Sequence, residues 1–371
     1  MTLNRRTLLE LTGAMAAASV GTTAGCLETV GLENDGDSED DGEVPAYADW
    51  LRVDENGRVG FVYVDWEALE ALDDSGPNPE ANEESEEWQD HEDAMVAYPM
   101  LGAVIGVITA SLGLWGTGLE GVVQPSTDED ADESTGADFE TNVEEFIIVN
   151  EAIVLAGEID AEEVDAELTT APDDAFSMKS EYERTGEIGA FDRYERVEDD
   201  AMGPAVLAVN EEAIVFAVGD DDDTDAAEVV RGPIEAREGE TAADENSDVE
   251  WLLEEAGHGQ LVLGGYGEDL DEPVDDEPAD EPVDNETADD EASVSDAEFA
   301  ELEGLIGICS SLELEADGAT GAFAAIDDDL PDEDELEDVL GTSAAEATLE
   351  VDDDRVTASA TWEEDVTDQQ V

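Results

Sequence analysis

Two segments of the chain share one pattern of hydrophobic and polar positions. In residues 146–169, FIIVNEAIVLAGEIDAEEVDAELT, two apolar runs flank the pair Asn150-Glu151, and an acidic amphipathic stretch follows. Residues 205–236 repeat that plan, with Asn210 between the two runs. Short apolar runs separated by a tight polar turn predict a hairpin, and asparagine tolerates the left-handed backbone that such turns need. Each segment is therefore predicted to be a β-hairpin followed by a helix.

The rest of the chain supplies further strands and a few short helices. Residues 58–66, RVGFVYVDW, alternate like a strand, and KSEYERTGEI (179–188) and AFDRYERVE (190–198) resemble a strand pair. Further strands are predicted in QLVLGGY (260–266), in SLELEADGATGAFAAI (311–326) and in the hairpin ATLEVDDDRVTASATW (347–362). Helices are predicted at 66–72, 249–255 and 334–340. The predicted fold class is α+β, with a mainly antiparallel sheet built from repeated hairpin-helix units, one sheet face covered by helices, and disordered acidic insertions.

Residues 94–119, AMVAYPMLGAVIGVITASLGLWGTGL, contain no charged residue. About 20 apolar residues suffice to cross a bilayer, and Gly102 and Gly106 form a small-xxx-small pair that would let two membrane helices approach closely. Five glycines and Pro99 weaken a long helix, however, and the basic flanks typical of a membrane span are missing. We predict a buried helix and loop inside the domain, with a single transmembrane helix at 94–119 as the alternative.

Residues 1–26 have the organisation of an export signal. Arg5 and Arg6 precede a mildly apolar run, and the small residues Thr23-Ala24-Gly25 stand directly before Cys26. The arginine pair resembles the twin-arginine motif. TAGC resembles the lipobox of haloarchaeal lipoproteins, although bacterial lipoboxes usually carry Leu where Thr23 stands. We predict a lipid anchor on Cys26; an ordinary positive n-region and a plain cleaved signal with an incidental cysteine are the alternatives.

Composition divides the remaining chain into folded parts and acidic segments. We predict an acidic spacer at 27–44, an α+β body at 45–267, a disordered acidic, Pro-containing insertion at 268–297, and a C-terminal α+β part at 298–371 that packs on the same body. The insertion contains the near-repeats DEPVD, DEPAD and EPVD. It also contains Asn285 in a candidate glycosylation sequon, which suits a loop on the cell surface.

The charge of the chain determines which solvents and partners suit it. The sequence has 108 Asp and Glu against 11 Lys and Arg, a formal net charge of −97. Exposed charges repel over about 10 Å at 0.1 M salt but only about 3 Å at 1 M, so this composition indicates adaptation to high salt. High charge is also typical of intrinsic disorder, but 41% hydrophobic residues in blocks favour a folded body. Nucleic acid is disfavoured as a partner, because phosphates are neutralised by basic clusters.

Candidate catalytic and metal-binding residues are few, and no recognised motif surrounds them. His91 and His258 are interpreted as ordinary surface or turn residues, since no nucleophile motif accompanies either one. The runs at 220–223 and 327–329 lack the ligand order of a calcium loop and are interpreted as solvated turns. Cys309 is interpreted as a small buried residue without a disulfide partner. We predict no catalytic residue, no cofactor and no bound metal.

The mature chain resembles a group of uncharacterised haloarchaeal lipoproteins exported by the twin-arginine pathway. The resemblance rests on Arg5-Arg6, on TAGC, and on the paired VNEAIV and VNEEAIV hairpins; a bacterial family of uncharacterised anchored proteins is more distantly similar. No activity is implied. We expect a lipid-anchored protein on the outer face of the membrane that acts by binding or scaffolding. The alternatives are a solute-binding lipoprotein, which needs two lobes with parallel strands, and a secreted carboxylate-dependent hydrolase, which needs a cleft where carboxylates converge.

Overall fold

The structure, a computed structural model, describes residues 43–73, 93–123, 139–171, 179–197, 203–217, 225–267, 302, 305–315, 318–327 and 330–363. The predicted signal at 1–26 and the predicted insertion at 268–297 lie outside the described residues, as does the spacer up to residue 42. The predictions made for Arg5, Arg6, Cys26 and Asn285 therefore also fall outside them.

The described residues form a mainly antiparallel sheet of 12 strands together with several helices, which is an α+β fold. In chain order the strands are β1 (Val59–Asp65), β2 (Asn142–Val149), β3 (Ala152–Glu158), β4 (Tyr182–Ile188), β5 (Phe191–Arg196), β6 (Val206–Val209), β7 (Ala213–Ala217), β8 (Leu261–Tyr266), β9 (Gly307–Glu315), β10 (Gly318–Ile326), β11 (Glu346–Asp352) and β12 (Arg355–Glu363). Their order across the sheet is β11-β12-β10-β9-β8-β1-β2-β3-β7-β6-β5-β4. Because β8 pairs with β9, the strands before and after residues 268–297 belong to one sheet.

The described helices are short, with one exception. They are α1 (Trp66–Asp73), α2 (Ala94–Gly113), α3 (Ala161–Thr169), α4 (Ala226–Glu238), α5 (Ala242–Glu245), α6 (Ser247–Ala256) and α7 (Glu333–Glu337), with 3-10 turns at Ala46–Trp50 and Glu120–Val123. The helices predicted at 66–72 and 249–255 are confirmed, whereas the one predicted at 334–340 ends at Glu337. Helix α5 was not predicted, because four residues are too few for a periodic pattern.

The two asparagines at the hairpin tips stabilise their turns in different ways. Asn150 adopts the left-handed conformation with φ 51°, and β2 and β3 pair on either side of it from Val149 and Ala152. Asn210 instead uses its side chain, whose Oδ1 accepts the backbone N–H groups of Glu212 and Ala213 at 2.8 Å. The predicted left-handed turn is therefore confirmed at Asn150 and wrong at Asn210, where a longer loop lets an Asx-type turn satisfy the backbone.

Helices cover both faces of the sheet, so the prediction that they cover one face is wrong. Face 1 carries α1, α2, α3 and α7; face 2 carries the 3-10 turn at 46–50 and helices α4, α5 and α6, and each face has its own buried cluster. The reason lies in the central strands. Every residue of β6 and β7 is buried, so apolar side chains project from both sides of these strands and must be covered on both.

Candidate functional site

The residues singled out for chemistry do not meet in the described part of the chain. His91 and residues 220–223 lie outside the described residues. His258 lies at the surface, where its Nε2 is 2.8 Å from the backbone oxygen of Glu43. Within the described ranges there is no group of three or more His, Cys, Asp or Glu side chains able to hold a metal ion.

Cys309 lies on β9 under helix α6 and is fully buried as a free thiol. Its Sγ donates to the backbone oxygen of Ala256 at 3.4 Å, and burial raises the pKa of the thiol well above its ordinary range. A thiol held in this protonated state is a poor nucleophile. The interpretation of Cys309 as a small buried residue agrees with this position.

A well-defined cavity of the described residues lies beneath α2 on face 1, but it is very small. Its volume is about 20 Å³, and its walls are apolar side chains: Trp66, Val107, Ala110, Val122, Val123, Val143, Phe146 and Leu155. That volume is near the size of one water molecule, and the apolar walls give a water few hydrogen-bond partners. The cavity is therefore a packing gap in the core under α2.

Helix α2 approaches the sheet closely through a stripe of glycines. A Cβ atom built on Gly102 would lie 2.9 Å from the side chain of Leu263, and one built on Gly106 would lie 2.6 Å from the ring of Phe146. A Cβ atom built on Gly113 would lie 2.6 Å from the ring of Phe216. In the alternative of a membrane helix, Gly102 and Gly106 would let two membrane helices approach closely; in the structure both glycines instead let large side chains of the sheet reach the helix.

The start of α2 is held by a buried carboxylate, Asp93, which is 1% exposed. One oxygen accepts the backbone N–H groups of Met95 (3.2 Å) and Gly341 (3.0 Å); the other accepts the N–H (3.1 Å) and hydroxyl (2.8 Å) of Ser343. Trp362 donates its indole N–H to the same Ser343 hydroxyl at 3.0 Å. A buried carboxylate is tolerated when its hydrogen bonds are satisfied, and here these bonds also fix the start of α2 to the loop that precedes β11.

The outward surface of α2 is the most unusual feature of the described structure. Leu101, Ile105 and Leu112 are 44%, 48% and 46% exposed, and Val104 and Ile108 lie half-buried between them. Only two other large apolar side chains of the described residues, Val197 and Val351, are exposed to a similar degree. We call the set Leu101, Val104, Ile105, Ile108 and Leu112 the α2 outer face.

The two hydroxyl residues beside the α2 outer face add little polarity to it. The Thr109 hydroxyl donates to the backbone oxygen of Ile105 at 2.7 Å, and the Ser111 hydroxyl donates to that of Val107 at 2.8 Å. Each donor is therefore used within the helix. The α2 outer face offers a ligand no charge and no free N–H group, which restricts it to apolar partners.

The α2 outer face was not predicted, although part of its signal is in the sequence. Leu101, Ile105, Ile108 and Leu112 follow the spacing of four, three and four residues that places side chains along one side of a helix. The opposite side, however, carries Ala103, Gly106 and Ala110, which are equally uncharged. Because apolar residues surround the helix, the sequence pattern does not indicate which side faces the sheet.

A second cluster, on face 2, contains Glu145, a carboxylate whose pKa burial raises. The Tyr63 hydroxyl donates to Glu145 at 3.1 Å, and the Tyr63 ring stacks on Tyr47 with 4.2 Å between centroids. Burial raises the pKa of Glu145, and nearby Asp65, its direct partner across the β1–β2 pair, raises it further; the hydrogen bond from Tyr63 opposes both effects. This cluster joins β1 and β2 to the 3-10 turn at 46–50 and has a structural role in the core of face 2.

Helix α2 is long and apolar enough to cross a membrane by length and composition, a test that core helices of soluble proteins also pass. Its buried half packs on the sheet. Comparison of the chain with protein-family models, with curated proteins and with solved structures finds no match.

Proposed function

We propose that this chain is an exported protein, anchored to the outer face of the membrane by a lipid on Cys26, that acts by binding or scaffolding rather than by catalysis. The location is supported by the order of features in residues 1–26: Arg5-Arg6, a mildly apolar run, and small residues ending at Cys26. A thioether-linked lipid gains about 0.8 kcal/mol per buried CH₂ group, so two chains would anchor the protein stably.

The α2 outer face is the observation that supports a binding role. At the overall density of 108 acidic residues in 371, a run of 26 residues would contain about eight, yet residues 94–119 contain none. An exposed apolar stripe in so acidic a chain is a costly feature, because exposed apolar area favours aggregation. We infer that the stripe is kept for contact with another apolar surface.

We propose that the protein works in concentrated salt. Nine basic residues follow the signal, and at least eight of them form an ion pair with a carboxylate within the described residues. Several of these pairs link separate elements, as Arg237 with Asp49 and Arg355 with Asp248 do. The basic residues are therefore used for internal pairing, and the many remaining carboxylates repel one another until salt screens them.

We also propose that residues 146–169 and 205–236 are copies of one hairpin-helix unit. Both contain two antiparallel strands joined at an asparagine, with a helix next in the order of elements. The two helices lie on opposite faces, since α3 buries Val164 on face 1 and α4 buries Val230 on face 2. Both copies would therefore have kept the hairpin. They would differ in the face of the sheet to which the chain turns after the second strand.

The alternative in which residues 94–119 cross the membrane is less well supported. A membrane-spanning α2 would have to leave the sheet, which would expose Phe146 and Phe216 and separate buried Asp93 from Ser343. Each of these changes is costly in water. We therefore keep α2 on the sheet and assign membrane attachment to Cys26.

The proposed function is tested by intact mass and membrane partitioning of the protein isolated in high salt. The wild-type chain is expected to begin at a lipid-modified Cys26 and to remain with membranes. Cys26→Ser is expected to leave the protein unlipidated, and Cys309→Ala serves as the matched cysteine control that keeps the lipid. An unmodified Cys26 in membrane-derived protein would overturn the proposed anchor.

A further inference from the structure

The α2 outer face has three properties that together restrict its partner. It is apolar, uncharged and about 17 Å long, since the helix rises about 1.5 Å at each of the 11 steps from Leu101 to Leu112. Leu101, Ile105 and Leu112 are close to half exposed along it. Helix α2 lacks the basic polar side of a typical interfacial helix, but an exposed apolar helix side of this kind can be buried at the headgroup and acyl boundary of a membrane.

From these properties we infer that the α2 outer face rests on the lipid surface to which Cys26 is tethered. This inference rests on the proposed anchor and adds the orientation of the body. Sixteen residues lie between Cys26 and Glu43, the first described residue, and the 17 residue steps from one to the other span at most about 60 Å. A tether this short keeps the body near the membrane, which raises the effective concentration of any lipid-facing surface.

Charge decides which side of the body can touch the membrane. A chain with a formal net charge of −97 is repelled by anionic headgroups, and the repulsion acts on every acidic surface. On face 2 the outward side of α4 carries exposed Glu228, Glu235 and Glu238, whereas the α2 outer face carries no charge. The α2 outer face can therefore approach the bilayer at a lower electrostatic cost than the outward side of α4 can.

A second copy of the chain fits the α2 outer face less well. Stable dimers bury about 800 Å² on each partner, more than one helix with three half-exposed side chains offers. Two copies would also bring two strongly acidic chains together. A dimer forms only at sufficient protein concentration, whereas a lipid-anchored body is next to the membrane at any protein concentration. The membrane is therefore the better supported partner of the α2 outer face.

This orientation predicts an unusual response to salt. Interfacial helices with basic residues bind anionic membranes less tightly as salt increases. Here the only electrostatic contribution is repulsion, so screening it should strengthen contact with the membrane. We expect vesicle binding of the Cys26→Ser chain to increase as KCl rises towards the molar range.

The decisive experiment labels one introduced cysteine in the full-length lipidated protein. Ile105→Cys places the thiol on the α2 outer face, and Val197→Cys is the control, with original side chains 48% and 46% exposed. Cys309 is buried and Cys26 carries the lipid, so a fluorescent thiol reagent reacts at the new position alone. The protein is reconstituted, in molar KCl, into vesicles of equal parts phosphatidylcholine and phosphatidylglycerol.

Quenching then reports where each label lies. Spin-labelled lipid is expected to quench the label at 105 several-fold more strongly than the label at 197, and aqueous iodide should show the reverse order. Equal iodide quenching at both positions, with the lipid present on Cys26, overturns the inference while leaving the proposed anchor intact. Shielding of 105 from both quenchers, with crosslinking between chains, also overturns it, because a second copy then occupies the face.

A binding measurement separates the inference from the anchor. Flotation of the Cys26→Ser chain with the same vesicles measures the contact of the α2 outer face alone. Replacing Leu101, Ile105 and Leu112 with Gln should reduce the partition coefficient by about 100-fold, because three half-exposed side chains lose their burial. The control pair Val197→Gln and Val351→Gln should leave it unchanged. If Cys26 proves unlipidated but flotation follows this pattern, the proposed anchor fails and the membrane contact stands.

Discussion

Helices α2 and α4 cover opposite faces of the same sheet and both bury one side, but their solvent-facing sides have opposite chemistry. Outward from α4 stand Glu228, Arg231 and Glu235, with Arg231 contacting both glutamates. Outward from α2 stand leucines and isoleucines without a charge among them. Both helices contribute to a buried cluster, so core packing alone does not require the difference. The contact with a membrane that we propose for the α2 outer face would account for the difference.

The two helices also begin differently. Asp225 caps α4 at the surface through one hydrogen bond to the N–H of Ala227 at 3.0 Å. Asp93 caps α2 from a buried position and binds a loop about 250 residues further along the chain. The cap of α4 therefore contacts only its own helix, whereas the cap of α2 also joins the helix to a distant loop on face 1.

The largest effect is expected when the two caps are compared. Asp93→Ala leaves several buried donors unpaired and should lower the free energy of unfolding by about 3 kcal/mol or more. Asp225→Ala removes one exposed cap and should cost about 1 kcal/mol. Denaturant unfolding at constant high salt measures both. Equal losses would mean that Asp93 acts as an ordinary cap.

The next effect compares glycines within the two helices. Gly106→Ala forces a Cβ against Phe146 and should destabilise the protein by about 1–3 kcal/mol. Gly232→Ala on α4 meets open space and should stabilise by up to about 1 kcal/mol, because alanine favours the helix. Thermal melts of the two variants should therefore shift in opposite directions. A neutral Gly106→Ala would show that α2 lies further from the sheet than described.

A smaller effect concerns pH and the face 2 cluster. The pKa of Glu145 is raised by burial, so the folded state favours its protonated form. The stability that protonated Glu145 contributes is fully present below the pKa that Glu145 has in the unfolded chain. It is lost as the pH rises through the pKa of Glu145 in the folded state. Glu145→Gln should therefore stabilise the protein at neutral pH and change little in acid. Urea unfolding at several pH values measures this, and a variant less stable at neutral pH would contradict it.

The smallest effect on stability is expected at the α2 outer face itself. Ile105→Gln changes a side chain that is about half exposed, so the free energy of unfolding without membranes should change by less than about 0.5 kcal/mol. A buried neighbour gives the contrast, since Val107→Ala should cost about 1 kcal/mol or more by removing core volume. A large loss of stability in Ile105→Gln would mean that part of the chain packs on this face.

Much of the fold could be predicted because hairpins are local. The strands on either side of Asn150 were predicted from two short apolar runs, and their antiparallel pairing follows from a two-residue turn. The order of distant strands could not be predicted in this way. Placing β8 between β1 and β9, or β3 beside β7, depends on which surfaces fit after the hairpins have formed.

The candidate site was predicted only in part. The absence of charge in residues 94–119 is plain in the sequence, and its importance was recognised. Which side of α2 would face out was not predictable, because apolar side chains occur all round the helix. Asp93 gave no signal of its own, since 107 other acidic residues share its chemistry.

The sequence by itself determined the charge balance of the chain, the positions of most strands, the charge-free segment and the motif at Cys26, because each of these is a property of neighbouring residues. The tertiary structure decided which sheet face each helix covers, which carboxylate becomes buried, and which side of α2 remains exposed. These depend on contacts between residues as far apart as Asp93 and Ser343. Glycine contacts with Leu263, Phe146 and Phe216 orient α2 on the sheet, and this orientation leaves Leu101, Ile105 and Leu112 facing outward.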